Sequence, residues 1–277
     1  MTTYVDATSK KKRMHGVIPL HDEEGFAGMR KAGALTAEVL DLVAPMVQPG
    51  TPTDKIDRFI YEFARDNGAM PATLNYRGYR YSSCISINHV VCHGMPSDKP
   101  LREGDIVNID VTLIVDGWHG DSSRMYTVGA VSRKAERLIE VTYECLRLGI
   151  EAAKPGNTTG DIGAAIQRYA EAERTSVVRD FVGHGIGRLF HDEPNILHFG
   201  NPGTGVELKP GMIFTIEPMI NLGRPQVKIL NDGWTAVTRD RTLSAQCEHS
   251  VGITETGVEI FTLSPRNIFN PLTARTA

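Results

Sequence analysis

Residues 104–124 have the sequence GDIVNIDVTLIVDGWHGDSSR, and this stretch decides the fold. Residues 107–113 alternate strictly between apolar and polar side chains, which is typical of a β-strand with one buried face. The pair Asp116-Gly117 follows, and it is the strongest short-range signal for a two-residue hairpin turn. We therefore predict a β-hairpin that turns at Asp116 and Gly117.

The predicted turn also determines which residues of the two strands face each other. Thr112 pairs with Asp121 and Asp110 with Ser123, so the two aspartates lie diagonally on one face, roughly 7–8 Å apart at the backbone. Carboxylates this close either hold a metal ion or form an ordinary acidic edge exposed to solvent. Taken alone, the hairpin favours the second interpretation, because Asp is common at turns.

The hairpin belongs to an internal repeat with a period of about 106 residues. Residues 101–110 (LREGDIVNID) are similar to residues 208–217 (LKPGMIFTIE), and residues 47–56 are similar to residues 153–162. Each half has the pattern of two helices followed by antiparallel strands. The repeat therefore indicates two similar halves packed about a pseudo-twofold axis.

The repeat changes the interpretation of the hairpin, because it aligns Asp110 with Glu217. Each half then contributes one carboxylate from an equivalent strand. Glu248 lies on the polar side of an alternating run, residues 244–250, and is a further candidate ligand. His184 offers a nitrogen within the segment GHGIG, whose glycines clear space for a ligand.

These residues and Asp121 form a candidate metal site. Four carboxylates and one imidazole carry too much negative charge for one divalent ion and suit two ions. Hard oxygen ligands with one nitrogen and no thiolate favour Mn, Fe, Co or Zn. His93 and His191 are candidates for hydrogen bonds to a substrate amide nitrogen and carbonyl oxygen. The other histidines are interpreted as structural: His15, His21, His89, His119, His198 and His249.

Composition is that of an ordinary globular protein, with 277 residues and a net charge of −3. The four cysteines lie far apart without a CxxC pair, which indicates reduced thiols in a cytosol-like compartment. No apolar stretch approaches the roughly 20 residues that span a bilayer, and the sequence has no P-loop, GxSxG or HExxH motif. The basic run KKKR at 10–13 is interpreted as a solvated tail, with weak contact to RNA or the ribosome as the alternative.

Capping signals and apolar spacing predict four helices, at residues 22–44, 53–68, 132–155 and 159 to at least 169. Thr53 is the predicted N-cap of the second helix. Residues 177–263 predict mostly strands and glycine-rich turns.

Four motifs in order closely resemble those of the type I methionine aminopeptidases: VCHG at 91–94, GHGIG at 183–187, FTIEP at 214–218 and SAQCEH at 244–249. The resemblance covers residues 20–265. It implies an α+β pita-bread fold, in which an antiparallel sheet is backed by two helix pairs with an internal pseudo-twofold repeat. It also implies a bacterial-type enzyme that removes the N-terminal methionine from nascent polypeptides and prefers small second residues.

The resemblance further implies a role for each candidate residue. Asp110 chelates one metal ion, His184 and Glu217 the other, and Asp121 and Glu248 bridge them. A water or hydroxide between the ions is the nucleophile, and Glu217 also shuttles its proton. His93 contacts the scissile amide nitrogen and His191 the carbonyl oxygen. The implied methionine pocket consists of Tyr76, Tyr79, Cys84, Phe190 and Trp234.

We accordingly divide the chain into three parts. Residues 1–19 are expected to be a flexible basic extension, residues 20–265 the catalytic domain and residues 266–277 a C-terminal tail. The expected protein is a cytoplasmic monomer without membrane contact. Its expected cofactors are two divalent ions of Co, Mn, Fe or Zn, and ribosome association is a further possibility.

Two alternatives remain open from the sequence. A proline-directed aminopeptidase or prolidase shares the implied fold, although such relatives usually carry a separate N-terminal domain. A binding protein without catalysis, associated with RNA or the ribosome, is the alternative from another class. The presence of all five candidate ligands and both candidate histidines argues against it.

Overall fold

The computed structural model describes residues 2–8 and 16–266. Within them the helices are α1 (Glu23–Val43), α2 (Thr53–Asp66), α3 (Arg133–Ala152) and α4 (Thr159–Ala172), with short 3₁₀ turns at Ala44–Met46 and Tyr76–Gly78. The first strands are β1 (Thr3–Asp6), β2 (Val17–Leu20), β3 (Met70–Pro71), β4 (Cys84–Ile87), β5 (Val90–Cys92), β6 (Ile106–Val115) and β7 (Trp118–Thr127). The later strands are β8 (Ser176–Val177), β9 (Gly183–Gly185), β10 (Asp192–Ile196), β11 (Ile213–Ile216), β12 (Met219–Asn221), β13 (Val227–Ile229), β14 (Ala236–Thr238), β15 (Ser244–Gln246), β16 (His249–Ile253) and β17 (Val258–Ile260). None of the helices in these ranges is long and apolar enough to cross a membrane.

The helix boundaries follow from local capping. The Asp22 carboxylate accepts a hydrogen bond from the backbone of α1, and Ser132 does the same for α3. The prediction that Thr53 caps α2 is wrong, because Thr53 is the first helical residue and Pro52 precedes it without a side-chain cap. The Thr53 hydroxyl instead bonds to the backbone of Ser97 in a neighbouring loop.

The hairpin of β6 and β7 has the predicted register. Thr112 pairs with Asp121 and Asp110 with Ser123. The turn residue Asp116 has a φ of 50° and is followed by a glycine with positive φ, as a type I′ turn requires. The hairpin prediction is therefore confirmed.

Antiparallel pairing dominates the sheets. One sheet has the order β10-β9-β11-β16-β17, another has the order β3-β6-β4 with β7 paired to β6, and two three-stranded sheets have the orders β15-β12-β8 and β13-β14-β5. The repeat-aligned strands β6 and β11 lie in different sheets, one in each half. The predicted α+β architecture with two similar halves is confirmed.

Each half has its own apolar core behind its sheet. The core of the first half joins α1 and α2 to the apolar face of β6 and includes Leu40, Ile60 and Val111. The core of the second half joins α3 and α4 to β11 and includes Ile166 and Phe214. Because both cores lie behind the sheets, the polar strand faces are left to form a site between the halves.

Helix α1 lies directly on the backbone of β7. A Cβ at Gly120 would lie 2.5 Å from the carbonyl oxygen of Ala32, so the close approach requires glycine. The Thr36 hydroxyl donates to the Gly120 carbonyl at 2.9 Å in the same contact. The helix therefore holds the strand that carries Asp121.

The segment expected to be a flexible extension contains two strands where the structure describes it. Strands β1 and β2 pair in parallel, and the Tyr4 hydroxyl donates to the carbonyl oxygen of Glu207 at 2.7 Å. The basic run at 10–13 lies outside the described residues, as do residues 267–277 of the expected tail. The division of the chain into three parts stays a prediction.

A buried ion pair links α1 to the hairpin. Asp41 and Arg124 have side chains that are 2% and 7% exposed, and the Arg124 guanidinium donates to the Asp41 carboxylate. The Ser264 hydroxyl lies 2.8 Å from the second carboxylate oxygen and ties residues after β17 to the same pair.

We predict that Asp41→Asn lowers the free energy of unfolding by about 3–5 kcal/mol, because it leaves the Arg124 charge buried and unpaired. Chemical denaturation followed by circular dichroism measures the change. The matched control is Asp66→Asn, which removes an exposed pair with Arg65 and is expected to leave the unfolding midpoint unchanged. Equal midpoints for the two variants would contradict the prediction.

Candidate metal centre and substrate cavity

A cavity of about 730 Å³ lies between the two halves. All twelve side chains singled out from the sequence line it: Tyr76, Tyr79, Cys84, His93, Asp110, Asp121, His184, Phe190, His191, Glu217, Trp234 and Glu248. Its volume is within the range of cavities that hold small organic ligands. The structure thus brings together residues that are up to 172 positions apart in the chain.

Three carboxylates meet at the base of the cavity. Asp110 of β6, Asp121 of β7 and Glu248, between β15 and β16, each offer an oxygen, and these oxygens all lie within 4.8 Å of one another. The backbone N–H of Glu248 donates to the carbonyl of Ser123, which attaches the link between β15 and β16 to the hairpin. Such a group of oxygens is a suitable ligand set for a divalent cation.

His184 and Glu217 extend this group on one side. The Nε2 atom of His184 lies 3.7 Å from an oxygen of Asp121 and 3.7 Å from an oxygen of Glu217. Its Nδ1 atom lies 3.0 Å from the carbonyl of Gly185, which can only accept, so Nδ1 carries the proton. The Nε2 lone pair therefore faces the carboxylates, and Asp121 is shared between the two sides of the group.

Neighbouring polar side chains orient these carboxylates. The Thr112 hydroxyl donates to Asp121 at 2.7 Å, and the Thr215 hydroxyl donates to Glu217 at 2.8 Å. The amide nitrogen of Gln246 donates to the other oxygen of Glu217 at 3.2 Å. These partners were not singled out from the sequence, although strand alternation places Thr215 two residues before Glu217 on the same face.

His198 is a second contact of Glu217 that the sequence did not reveal. It was interpreted as structural, yet its Nε2 atom accepts a hydrogen bond from the backbone N–H of Glu217 at 3.1 Å. Its side chain is fully buried, and burial lowers its pKa to about 3, so the imidazole is neutral. No local sequence signal distinguishes such a histidine from one in an ordinary core.

Burial disfavours the charged form of each carboxyl group, and repulsion adds to this effect at Asp110, Glu217 and Glu248. Burial raises the pKa of Asp121 to about 7. Burial and the charge of Asp121 raise the pKa values of Asp110, Glu217 and Glu248 well above their usual range. Among the described residues that line the cavity, Arg77 is the one lysine or arginine, and its guanidinium lies over the ring of Tyr76 instead. The donor set therefore fits bound divalent cations.

An aromatic wall with one thiol continues from the carboxylates. The rings of Tyr79 and Trp234 contact edge to face at 5.2 Å, and those of Tyr76 and Phe190 lie 5.0 Å apart. Cys84 pairs with Asp110 across β4 and β6, so this part of the wall borders the carboxylates. Aromatic rings and sulfur suit a flexible thioether side chain.

The two candidate histidines lie at different parts of the cavity. His93 has a left-handed backbone with a φ of 56° and contacts the rings of Phe181 and Trp234. The His191 ring lies 4.2 Å from the ring of His184, and its Nδ1 atom lies 3.0 Å from the Tyr76 hydroxyl. Burial lowers the pKa of His191 to about 3 and keeps the ring neutral.

Comparison with known proteins gives consistent results at the levels of family and sequence. The family model described as metallopeptidase family M24 matches residues 27–255. The methionine aminopeptidase of Rickettsia prowazekii is 55% identical over 255 residues, 92% of this chain and 98% of that protein. The methionine aminopeptidase of Escherichia coli K12 is 51% identical over 248 residues, 89% of this chain and 94% of that protein.

Comparison with solved structures agrees with the comparison of sequences. The crystal structure of methionine aminopeptidase from Rickettsia prowazekii superposes with a TM-score of 0.88 at 56% identity, over 89% of this chain and 100% of that one. The structure from Thermotoga maritima has a TM-score of 0.87 at 39% identity, over 88% of this chain and 99% of that one. The prolidase from Pyrococcus horikoshii has a TM-score of 0.71 at 20% identity, over 88% of this chain and 63% of that one, so it shares the fold. The expected pita-bread fold is confirmed.

We predict that Asp121 makes the metal-free protein less stable as pH rises. Its carboxyl binds a proton in the folded state up to a pKa of about 7 but releases it near 3.8 when unfolded, so its contribution to stability is present at low pH and lost as pH rises through 7. In EDTA, Asp121→Asn is therefore expected to raise the melting temperature relative to the unsubstituted protein more at pH 8 than at pH 5. The buried histidines are common to both proteins and cancel in the comparison. A difference that is larger at pH 5 would contradict this assignment.

Proposed function

Because the chain belongs to metallopeptidase family M24, we propose that it is a methionine aminopeptidase, which removes the N-terminal methionine from polypeptides and prefers small second residues. One observation carries the proposal. A cluster of carboxylates and imidazole adjoins an aromatic and sulfur-containing wall within a single cavity. Relatives that are 51% to 55% identical over most of the chain have the same named activity.

Two divalent ions are proposed at the cluster. Asp110, Asp121 and Glu248 form one group of ligand atoms, and His184 and Glu217 lie against the other side of Asp121. Four carboxylates exceed the charge of one divalent ion, and bridging by shared carboxylates is the usual arrangement of two-metal hydrolases. The oxygen-rich set with one nitrogen suits Mn, Fe, Co or Zn.

Each ligand then has a role. Asp110 would hold one ion and His184 with Glu217 the other, and Asp121 and Glu248 would be ligands shared by both ions. When bound, the ions supply Lewis acidity toward the scissile carbonyl and a water nucleophile at neutral pH. Glu217, held by two donors of this chain, accepts a proton from the attacking water and passes it toward the leaving amine.

The two cavity histidines contact the peptide bond that is cleaved. His93 accepts a hydrogen bond from the scissile amide N–H, and His191 donates to the carbonyl oxygen as negative charge develops there. The Tyr76 hydroxyl lies 3.0 Å from Nδ1 of His191 and is able to donate to it, and the second role requires this direction because it leaves the proton on Nε2. The methionine side chain packs against the wall of Tyr76, Tyr79, Cys84, Phe190 and Trp234.

A proline-directed aminopeptidase or prolidase is the second candidate, favoured by the fold shared with the Pyrococcus prolidase. The much higher identity to methionine aminopeptidases supports the first candidate. The cytoplasmic location and the monomeric state stay predictions, and ribosome contact stays the alternative to a solvated tail for the basic run at 10–13.

We predict that Asp110→Ala and Glu217→Ala each reduce kcat/KM for the peptide Met-Ala-Ser by roughly 100-fold or more. Substitution of a residue that only hydrogen-bonds to a metal ligand typically costs roughly 10- to 100-fold, and removal of the ligand itself is expected to cost at least as much. Steady-state assays in saturating Mn²⁺ measure the loss. Glu255→Gln, an exposed carboxylate away from the cavity, is the control and should retain full activity. Cleavage of Xaa-Pro dipeptides in preference to Met-Ala-Ser would favour the prolidase candidate, and full activity of either ligand variant would refute the mechanism.

We further predict that the metal-free protein binds two equivalents of Mn²⁺, and that His184→Ala binds one, because it removes the nitrogen ligand of one ion. Isothermal titration calorimetry counts the sites. Chelation should abolish activity, and added Mn²⁺, Co²⁺ or Fe²⁺ should restore it. A single equivalent in the unsubstituted protein would overturn the two-ion proposal.

A further inference from the structure

The tip of the hairpin contacts a segment that carries two cavity residues. This segment, residues 186–191, joins β9 to β10 and carries Phe190 and His191. The Gly187 carbonyl oxygen lies 2.9 Å from the backbone nitrogen of His119 and 2.9 Å from its Nδ1 atom. Because the carbonyl can only accept, both nitrogens donate, and the His119 imidazole carries its proton on Nδ1.

The same imidazole packs against the cavity wall from behind. The rings of His119 and Phe190 stack with centroids 5.7 Å apart and an interplanar angle of 15°. The Phe190 ring in turn contacts that of His191 at 4.2 Å. Within residues 2–8 and 16–266, the cavity wall does not include His119 itself. Its side chain contacts the 186–191 segment, whereas its backbone belongs to β7, the strand that carries Asp121.

A second contact connects the hairpin turn to the same segment. The Arg188 guanidinium donates to the carbonyl of Asp116 at 2.5 Å and lies 4.3 Å from the centroid of the Trp118 ring. A Cβ at Gly117 would lie 2.7 Å from the same guanidinium, so the glycine leaves room for it. The hairpin tip thus contacts the segment at two positions, Gly187 and Arg188.

We propose that His119 is a positioning residue for substrate: its hydrogen bond to Gly187 and its stacking on Phe190 hold residues 186–191 so that Phe190 and His191 face the bound methionine. This inference rests on the proposed function for the identity of the substrate. The holding of the segment is independent of it. The hairpin then has two tasks, since one strand pair supplies metal ligands and its tip sets the substrate wall.

Two substitutions separate the two contacts of His119. His119→Asn retains a donor near the Nδ1 position and loses the ring, whereas His119→Phe retains the ring and loses the donor. Each is expected to reduce kcat/KM for Met-Ala-Ser by about fivefold, the usual effect of one lost interaction of this kind. His89→Asn, on a histidine outside the cavity wall, is the control and should leave kcat/KM unchanged. Mn²⁺ affinity and melting temperature should stay at their unsubstituted values in all three variants.

A double-mutant cycle with Phe190→Ala tests whether the ring acts through Phe190. The fivefold loss from His119→Asn should shrink to less than about twofold in the Phe190→Ala background, because the stacking partner is already missing. Equal losses in both backgrounds, or losses that follow weakened Mn²⁺ binding, would overturn the inference.

Hydrogen–deuterium exchange tests the positioning without reference to activity. His119→Ala should increase the exchange rate of amides in residues 186–191 by tenfold or more, while the amides of α3 and α4 stay protected. Unchanged exchange in the segment would overturn the inference even if activity falls. If exchange in the segment is faster in the variant but the unsubstituted protein does not cleave Met-Ala-Ser, the proposed function is refuted and the positioning role of His119 remains.

Discussion

The repulsion between four carboxylates, two of them buried and two half-buried, is the constraint on which the rest of the structure depends. Asp110, Asp121, Glu217 and Glu248 face one cavity; burial raises the pKa of each, and the charge of Asp121 raises the pKa values of the other three further. No isolated hairpin or strand would hold such a group together, because the side chains would turn to solvent. A rigid scaffold on which each acid is anchored from behind makes the arrangement possible, and the proposed cations would relieve the repulsion.

The two halves of the chain provide that scaffold. Each half buries an apolar strand face under its own pair of helices, so the polar face of each strand is directed toward the other half. The ion pair of Asp41 and Arg124 and the close approach of α1 to Gly120 fix the hairpin from behind. Stability gained in the two cores therefore offsets the unfavourable charge density at the site.

The hairpin connects the proposed metal ligands to the proposed substrate wall within one element. Its strands carry Asp110 and Asp121, while its tip contacts the segment that carries Phe190 and His191. In this arrangement a displacement of the tip alters the substrate wall, whereas a displacement of the strands alters the metal centre. The proposed activity needs both in a constant relation, because the scissile bond must lie between the ions and the histidines.

The sequence by itself determined the hairpin, its register, the helix pairs and seven of the twelve cavity residues, whereas the five residues of the aromatic and thiol wall came from the family resemblance. Alternation with period two and an Asp-Gly turn are local rules, and the internal repeat related Asp110 to Glu217. Only the tertiary structure revealed the contacts of His198 with Glu217 and of His119 with Gly187, and the use of the Thr53 hydroxyl by Ser97. The reason is physical. Local rules set the direction of a side chain on its own element, whereas its partner across the fold depends on how distant elements pack.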